Sequence, residues 1–435
     1  MQPIPLLDSS DFARRHAWEP LPFSLPDLPD APRILILKLS AIGDCLIASP
    51  LARAIRKRHP RAHIAWAVQS KARAVVEGNP YLDEILVWQG SSWRGALDLA
   101  FAVRRGRFDV VIDLQGTSKT LPILALSGAK VRAVSGRAKK ISRAVATCVA
   151  PIREPQPHAG EQYFRVAQCL DLAPDARRDL IMPIDKADRE WAQTFWNEHQ
   201  LHGKRVVALN PGSARAIKQW PPREFARLAA MLEQSGARTV ILGAPAEVEL
   251  AKSIALAAQS QSMPNQSTKN EAAIDAGDES TRDNSTTVEA ARMAEKNGEF
   301  RPELAKKASP IVAAGQTTLK QLGALLELCD LMVSADTGPM HIAAAVGTPI
   351  VALFGPTDPA CTGPVSTKAR VVMRDLPCRP CFQQPTCERF ECLTELDAAA
   401  VYGIALDQMQ RFARAASTWR QDESGAQKSS PDDSL

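Results

Sequence analysis

The 435-residue sequence lacks long hydrophobic runs. A helix needs about 20 mostly apolar residues to cross a bilayer, and no run of even about 18 occurs, which argues against a membrane-spanning helix. Residues 1–30 have neither a basic start nor a continuous apolar stretch, so they do not resemble a secretory signal. No GxGxxG motif follows a predicted strand, which argues against a dehydrogenase. We therefore expect a cytoplasmic protein of another class.

Cysteine is also too sparse for a disulfide-stapled protein. Nine cysteines occur, several within apolar runs such as the one around Cys329, and this favours reduced thiols over a disulfide framework. The composition, 45% hydrophobic and 23% charged, is that of a soluble globular chain. Two domains are the natural expectation, because a single core rarely grows beyond about 250–300 residues.

Positive charge is concentrated in the first half of the chain. The net charge is +5, but residues 33–150 contain 20 Lys and Arg against 7 Asp and Glu, which is +13 and leaves −8 for the remainder. A basic face suits phosphorylated or lipid-rich anionic material. Each Lys or Arg near an anionic membrane surface contributes about 1 kcal/mol to the free energy of binding. The alternative is a solvated basic surface without a partner.

Short apolar runs alternate with helical patterns, which is typical of a parallel sheet covered on both faces. A first series comprises RILILKL, HIAWAV, EILVW and FDVVIDL, and a second comprises RVVALN, RTVILG, LMVSA and PIVALFG. The sequence therefore predicts an α/β protein in which two Rossmann-like, doubly wound domains face a cleft.

Composition places the boundaries of these domains. We expect a Pro-rich lead-in at 1–32, an N-terminal domain at 33–190, a C-terminal domain at 200–400 and a C-terminal helix at 401–420. Residues 260–307 are rich in Ser, Thr, Asn, Gln, Asp and Glu, which predicts a disordered insertion. The tail at 421–435 has a similar composition and is expected to be disordered too.

The segment SADTGPMH places polar residues between a strand and a helix. The strand LMVSA ends at Ala335, and the proline after Gly338 is suited to starting a helix that Gly347 ends. A helix start can bind phosphate, because its N–H groups are unpaired and it carries the positive end of the helix dipole. Asp336, Thr337 and Gly338 are therefore candidates for holding a diphosphate. The alternative is that Asp336 or Thr337 only caps the helix.

The segment NPGSARAIKQWPP also follows a strand, at the edge where open α/β sheets bind ligands. Lys218 could neutralise charge on a departing phosphate, and Ser213 offers a hydroxyl on the same loop. The alternative for Lys218 is an exposed surface lysine. We expect Trp220 to fix this loop by packing.

Two further strand ends carry carboxylates. Asp44, after the turn at Gly43, could take a proton from an attacking hydroxyl, or it could be only a helix cap. Asp113, Gln115 and Lys119 follow the VIDL strand, where they could contact a polar acceptor.

A cysteine motif lies near the end of the C-terminal domain. Cys378, Cys381, Cys387 and Cys392 form C-x2-C-x5-C-x4-C, which is compact enough to surround a structural zinc ion. The alternative is free or redox-paired thiols, because the longer spacer of common zinc sites is missing. A catalytic role is not expected in either case.

Four of these segments together resemble a known family. In order, RILILKLSAIGD, VIDLQG, NPGSARAIKQWP and SADTGPMHIAAAVGTPIVALFGPTDP are similar to the motifs of glycosyltransferase family nine, the ADP-heptose:lipopolysaccharide heptosyltransferases. The resemblance runs from about Arg33 to Thr418, without the polar insertion, and Trp93 and Arg94 with their preceding strands look most like heptosyltransferase I. It implies a GT-B fold, an inverting mechanism and no catalytic metal or other required cofactor.

The resemblance also implies roles for individual residues. Asp44 matches the family's catalytic carboxylate and Lys218 its lysine beside the donor phosphates, while Thr337 and Gly338 match the diphosphate-binding turn and Asp336 also fits. The other donor-binding positions that match are Ser213 near phosphate, Glu247 on the ribose hydroxyls and His341 facing the donor.

The implied reaction is heptose transfer from ADP-heptose to the Kdo/heptose inner core of lipopolysaccharide. The acceptor is Kdo-capped lipid A, bound by the N-terminal domain, with peripheral contact at the cytoplasmic face of the inner membrane and no nucleic acid. The alternatives are another GT-B enzyme such as a nucleotide-sugar epimerase, and a non-catalytic nucleotide-sugar-binding protein. The basic first domain weighs against the former, and the presence of both Asp44 and Lys218 weighs against the latter.

Overall fold

The structure is a computed structural model that describes residues 6–8, 27–89, 92–172, 179–261, 309–381, 387 and 389–413. These residues form two α/β lobes, each built on one sheet, and this confirms the predicted α/β class with two doubly wound domains. Nearly all of the predicted polar insertion at 260–307 and the whole predicted tail at 421–435 lie outside the described residues.

The first strand of the chain, β1 (Leu6–Asp8), belongs to the sheet of the second lobe. The first lobe has a parallel sheet whose strands are β2 (Arg33–Leu37), β3 (His63–Gln69), β4 (Glu84–Trp88), β5 (Val110–Asp113), β6 (Val131–Ser135) and β7 (Cys148–Ala150). Its helices are α1 (Ile42–Ala48), α2 (Pro50–Arg58), α3 (Trp93–Arg105), α4 (Leu121–Leu126), α5 (Lys140–Val145) and α6 (Ala159–Val166), with short 3-10 turns at Ser70–Val75 and Ala167–Leu170. The strand order is β4-β3-β2-β5-β6-β7.

The second lobe begins with α7 (Lys186–Glu198). Its strands are β8 (Val206–Asn210), β9 (Arg238–Ile241), β10 (Ile311–Val312), β11 (Leu331–Ala335), β12 (Ile350–Phe354) and β13 (Ala369–Met373). Its other helices are α8 (Pro222–Gln234), α9 (Val248–Gln261), α10 (Leu319–Leu328), α11 (Gly338–Val346), α12 (Pro359–Thr362), α13 (Glu391–Thr394) and α14 (Ala398–Arg411), with 3-10 turns at Ala216–Lys218 and Pro245–Glu247. The strand order is β1-β13-β12-β11-β8-β9-β10.

The central strands are buried on both faces, as their wholly apolar runs predict. Every residue of β8, β11 and β12 is buried, and helices cover both sides of such parallel sheets. All strand pairs of the second sheet are parallel except β1, which pairs antiparallel with β13. Residues Leu6–Asp8 of the predicted Pro-rich lead-in thus form an edge strand of the second sheet.

The helix predicted after Asp44 is divided into two. It ends at Ala48, and a second helix begins at Pro50. Proline is suited to this first helical position because its missing N–H would have no partner there. The predicted end of α11 is confirmed, because Gly347 adopts a left-handed conformation with φ 79° directly after Val346.

The lobes share one continuous apolar core. A single cluster of buried side chains includes Ile34 and Leu46 from the first lobe and Met332 and Met340 from the second. α1 packs against α11 at this junction. In the part of the chain that the structure describes, no helix combines the length and apolar character needed to cross a membrane.

Candidate active site

The two helices that follow β2 and β11 meet where the lobes join, and we call this contact the α1–α11 seam. A Cβ added to Gly43 would overlap the imidazole of His341, and a Cβ added to Gly338 would lie 3.3 Å from Cβ of Ile42. Each glycine therefore allows the opposite helix to approach closely. At the seam, Gly43, which directly precedes Asp44, therefore contacts the helix that starts at the predicted diphosphate turn.

Asp44 lies in the first turn of α1, and its two carboxylate oxygens have different partners. Oδ1 accepts a 2.6 Å hydrogen bond from the Tyr163 hydroxyl and lies 3.7 Å from Nζ of Lys38. Oδ2 accepts a 3.1 Å hydrogen bond from the Ala41 backbone N–H. Asp44 thus makes the helix-start contact considered above, and its other oxygen faces a separate polar cluster.

The environment of Asp44 favours its charged form. Burial raises the pKa of this carboxyl, but the Lys38 ammonium and the hydrogen bonds from Tyr163 and Ala41 outweigh burial and hold the pKa below its ordinary value. Asp44 is therefore ionised at neutral pH, which a proton acceptor requires.

Lys38 and Tyr163 were not among the candidate residues. Lys38 is only 4% exposed, at the end of β2, and its Nζ lies 4.9 Å from the ring centroid of Tyr163. Burial, and then Asp44, raise the pKa of Tyr163 well above its ordinary value, so the hydroxyl stays a donor. A lysine that ends an otherwise apolar strand was the available signal for Lys38, whereas Tyr163 lies 119 residues from Asp44 without a local signal.

On the second lobe, Lys218 and Asp336 form an ion pair. Nζ of Lys218 donates to Oδ2 of Asp336 at 2.6 Å, and the side chains are 17% and 6% exposed. The interpretation of Lys218 as an exposed surface lysine is therefore wrong. The expected packing of Trp220 is confirmed, because its fully buried indole donates to the Leu396 carbonyl at 2.8 Å.

The start of α11 has no side-chain cap. Thr337 is the capping residue by position, but its hydroxyl accepts a 3.0 Å hydrogen bond from the Asn210 amide and makes no bond to the helix N–H groups. Asp336 is paired with Lys218. The alternative in which Asp336 or Thr337 only caps the helix is therefore wrong, and among the described residues the positive end of the α11 dipole has no side-chain acceptor.

His341 lies one turn into α11, among the charged groups of both lobes. Burial lowers its pKa to about 4, although Asp336 and Asp44 act in the opposite direction and His158 and Lys218 act with it. The imidazole is therefore neutral at pH 7. Its Nδ1 is buried without a hydrogen-bond partner among the described residues, a costly arrangement for a polar atom unless a bound molecule completes it.

Ser213 and Glu247 lie on neighbouring loops of the second lobe. The Glu247 carboxylate covers Gly212, where a Cβ would overlap it, and its Oε2 accepts a 2.8 Å hydrogen bond from the Ala244 N–H. The Ser213 hydroxyl accepts from the Arg215 N–H at 3.3 Å. Both side chains are half-buried, at the carboxyl ends of β8 and β9.

The three expected acceptor residues have different environments. Asp113 is fully buried, and its carboxylate accepts from the N–H groups of Gln115 and Gly116 and from the Thr120 hydroxyl at 2.8–2.9 Å. Burial raises the pKa of Asp113 despite these bonds, and the geometry assigns this residue to building its loop. Gln115 accepts from the N–H of Ser40 at 3.3 Å, which ties the loop to the segment before α1, and Lys119 is exposed.

The structure gives the cysteine motif no metal-binding geometry. Over the described ranges, no group of three or more His, Cys, Asp or Glu side chains is arranged to hold a metal ion. Burial, and then the nearby Cys378 and Cys387, raise the pKa of Cys381, while burial raises the pKa of Cys392 to about 11. The zinc hypothesis stays a prediction.

The fold defines the class of protein. Two Rossmann-like lobes joined at a seam of helix starts form a GT-B type architecture. A structure of a glycosyl transferase of family 9 from Veillonella parvula has a TM-score of 0.66, with 24% identity over 88% of this chain and 100% of that one. The E. coli ADP-heptose lps heptosyltransferase II has a TM-score of 0.63, with 21% identity over 87% and 99%. These likenesses confirm the predicted GT-B fold.

The family description of glycosyltransferase family 9 (heptosyltransferase) matches residues 96–269 and 286–390. The chain belongs to this family and is a glycosyltransferase. The lipopolysaccharide core heptosyltransferase OpsX of Haemophilus influenzae is 25% identical over 80% of this chain and 86% of its own length. Lipopolysaccharide heptosyltransferase 2 of Escherichia coli is 26% identical over 78% and 87%. Likeness to subtype I stays a prediction, since none of these four relatives carries that subtype name.

Proposed function

We propose that this glycosyltransferase moves a heptose from ADP-heptose to the Kdo/heptose inner core of lipopolysaccharide, with inversion at the anomeric carbon. The observation that carries the proposal is the α1–α11 seam. It joins the helix that holds the ionised Asp44 to the helix whose uncapped start lies at Thr337 and Gly338. A proton acceptor and a phosphate-binding turn thus belong to one junction between the lobes.

The donor diphosphate binds at the start of α11. The positive end of the helix dipole and the backbone N–H groups of the Thr337–Gly338 turn attract phosphate there, and Lys218 lies next to this turn through its 2.6 Å contact with Asp336. Nδ1 of His341 supplies a hydrogen-bonding atom that has no partner among the described residues. Glu247 holds the ribose hydroxyls of the donor from the loop after β9, and Ser213 contacts its phosphates from the loop after β8.

Asp44 acts as the general base. The acceptor hydroxyl oxygen bonds to the anomeric carbon while its proton passes to the Asp44 carboxylate. The bond from the anomeric carbon to the diphosphate oxygen breaks, its electron pair leaves with ADP on the opposite face, and the configuration inverts. Lys218 and the α11 dipole stabilise the negative charge that grows on the leaving diphosphate, which is electrostatic transition-state stabilisation.

The acceptor approaches from the first lobe. Gln115 and Lys119 follow β5, and Gln115 binds the segment that leads into α1. An exposed lysine at this edge suits the carboxylates and phosphates of Kdo-capped lipid A. The lipid part of the acceptor requires that the enzyme work in the cytoplasm against the inner face of the membrane. The proposal needs no metal or other cofactor, because this chain's own groups supply the base and the cations.

The test is incubation of the full chain with ADP-heptose and Kdo-capped lipid A, followed by mass spectrometry of the lipid. We expect a mass gain of one heptose together with release of ADP. An isomerised nucleotide sugar without lipid product would indicate an epimerase instead, and binding without any product would indicate a non-catalytic protein. Either result contradicts the proposal.

The variant Asp44→Asn links this reaction to the proposed base. General-base assistance contributes roughly 10²–10⁴-fold, so turnover should fall by about that factor while ADP binding, measured by calorimetry, changes little. Asp179→Asn is the matched control, because this exposed first-lobe carboxylate contacts Arg53 away from the seam. Unchanged turnover in Asp44→Asn would remove Asp44 from the mechanism.

A further inference from the structure

Large apolar side chains are exposed mainly on the first lobe, and four of them lie on three adjacent helices. Seven such side chains are exposed in the part of the chain that the structure describes, and six of them lie between Trp93 and Ile152. Trp93 is 69% exposed, Ile141 56% and Phe101 53%. Clustered exposed apolar groups mark interaction surfaces, whereas isolated ones are ordinary.

Three helices carry this surface. α3, α4 and α5 pack side by side, and their inner sides bury Leu99, Val103 and Leu124 against one face of the first sheet. Leu126 of α4 is exposed, like Trp93 and Phe101 of α3 and Ile141 of α5. We call the outer side of these three helices and their connecting loops the basic–apolar face.

The charge of this face is strongly positive. Residues 93–145 contain 11 Lys and Arg but only 3 Asp and no Glu. Asp113 is fully buried, and Asp109 accepts a hydrogen bond from the Arg33 N–H at 2.8 Å, so Asp98 is the one exposed carboxylate of this segment among the described residues. The cations therefore dominate the field above the face.

Cationic and apolar side chains alternate along the surface. On α3, Arg94, Phe101 and Arg105 are exposed at spacings of seven and four residues, which place them on one side of the helix. On α5, Lys139 and Lys140 directly precede the exposed Ile141, and Arg143 follows on the same helix. Basic groups around exposed large apolar residues are the pattern of protein surfaces that lie in a bilayer interface.

The face adjoins the edge that carries Asp44. α4 and α5 are the helices that follow the carboxyl ends of the parallel strands β5 and β6, and β2, which leads to Asp44, points the same way. Trp93 at the start of α3 follows the carboxyl end of β4. The starts of all three helices thus lie at the edge of the sheet where the acceptor is proposed to bind.

We propose that the basic–apolar face docks this enzyme on an anionic lipid bilayer, with Trp93, Phe101 and Ile141 in the interface and the surrounding Lys and Arg on lipid phosphates. The cytoplasmic leaflet carries negative charge, which complements the excess of cations on this face. The inference deepens the proposed function, because it places the acceptor edge at the membrane in which a lipid-linked acceptor is held. Lipid binding by itself does not require catalysis.

The experiment measures binding of the full chain to acceptor-free vesicles by flotation. The wild type is expected to bind phosphatidylethanolamine vesicles with about one quarter phosphatidylglycerol, and to bind phosphatidylcholine vesicles weakly. The triple variant Lys139→Glu, Lys140→Glu, Arg143→Glu should bind the anionic vesicles at least about a hundredfold more weakly, since each lost cation weakens partition several-fold. Its fold should survive, because acidic residues are favourable at the start of α5.

The apolar contribution has its own variant and control. Trp93→Ser with Ile141→Ser should weaken binding at least about tenfold. Leu256→Ser, which changes a 66% exposed side chain on the second lobe, should leave binding unchanged. Lys186→Glu with Arg223→Glu and Lys252→Glu is the charge-matched control on exposed second-lobe positions.

Several results would overturn the docking proposal. They are absence of wild-type binding to anionic vesicles, equal loss in the matched controls, or binding to a single-stranded RNA oligomer in place of vesicles. The outcome is separable from that of the proposed function. A wild type that binds vesicles but transfers no heptose refutes only the reaction, and one that transfers heptose to a detergent-dispersed acceptor without binding vesicles refutes only the docking.

Discussion

Tyr163 and Lys38 determine the charge state of Asp44. The hydroxyl donates to Oδ1 at 2.6 Å and the ammonium lies 3.7 Å away, so both stabilise the carboxylate over the carboxylic acid. Neither residue reaches the reacting atoms in the proposed mechanism. They are positioning residues. Their removal should change the pH at which Asp44 ionises more than it changes the rate of the reaction once Asp44 is ionised.

Tyr163→Phe tests this role through a pH profile. Loss of the hydroxyl removes a hydrogen bond to the charged form, so the pKa of Asp44 should rise and the acid limb of kcat/KM should move to higher pH. Turnover should fall severalfold at the acid end and change little on the alkaline side, where Asp44 is ionised in both proteins. Tyr402→Phe, on α14 of the second lobe, is the control. An acid limb that stays in place or moves to lower pH contradicts the assignment.

Local sequence patterns predicted single residues unevenly. Asp44, Lys218 and Thr337 stand at strand ends, where topology alone places ligand groups. Asp113 occupies the same kind of position, yet the structure uses its carboxylate within its own loop, because a strand end does not reveal which way a side chain turns. The contact of Tyr163 with Asp44 depends on how α6 packs against α1, and no local pattern records that packing.

Among the elements, α1 and α11 depend on each other through Gly43. Its missing side chain leaves room for the imidazole of His341, which a Cβ would overlap. Strands were predicted well because wholly apolar runs between polar turns have few other interpretations. The break between α1 and α2 was not predicted, since apolar spacing continues through Ser49 and Pro50 and only the first-turn preference of proline indicates a new start.

Gly43→Ala should separate α1 from α11. Overpacking of a close contact costs about 1–3 kcal/mol, and displacement of α1 moves Asp44, so both the free energy of unfolding and turnover should decrease. Urea unfolding and the heptose-transfer assay measure the two effects. Gly403→Ala is the matched control, because this exposed glycine of α14 has no neighbour within 4 Å of a new Cβ. Alanine there should raise the free energy of unfolding by about 0.5–1 kcal/mol. Equal behaviour of the two variants would show that the seam tolerates a side chain.

At the scale of the whole molecule, the sequence predicted the two successive lobes, each with its own sheet. It did not predict the pairing of β1 with β13. The repeated alternation of strand and helix patterns predicted both lobes. The three residues of β1 have no period of their own, and their pairing with β13 depends on a strand more than 360 residues away. Long-range pairing of so short a segment leaves no pattern in the local sequence.

The stability of the molecule should depend on pH through His341. Burial holds its folded pKa at about 4, below the ordinary 6.5. The unfolded chain therefore binds a proton on His341 more readily than the folded chain does. The contribution of His341 to the free energy of unfolding is complete above about pH 6.5 and is lost as the pH falls toward 4. The expected loss is about 2 kcal/mol of unfolding free energy between pH 7 and pH 5.

Urea unfolding at both pH values measures this dependence. His341→Gln removes the titrating ring, so its free energy of unfolding should fall less between pH 7 and pH 5 than that of the wild type, by about the same 2 kcal/mol. His202→Gln, at an exposed position, should keep the wild-type slope. Parallel curves for the wild type and His341→Gln would mean that the imidazole is not buried in its neutral form.

The strand β1 also constrains the order in which the chain can be assembled during synthesis. Leu6–Asp8 are synthesised before both lobes, whereas their partners Arg370–Val372 emerge only after the first lobe and most of the second. The first lobe can fold while this segment waits unpaired, because domains generally fold as units in the order of their synthesis. Until the segment docks, β13 has an open edge, and such edges invite pairing with other chains. Docking of Leu6–Asp8 closes this edge and links the segment before the first lobe to the second lobe.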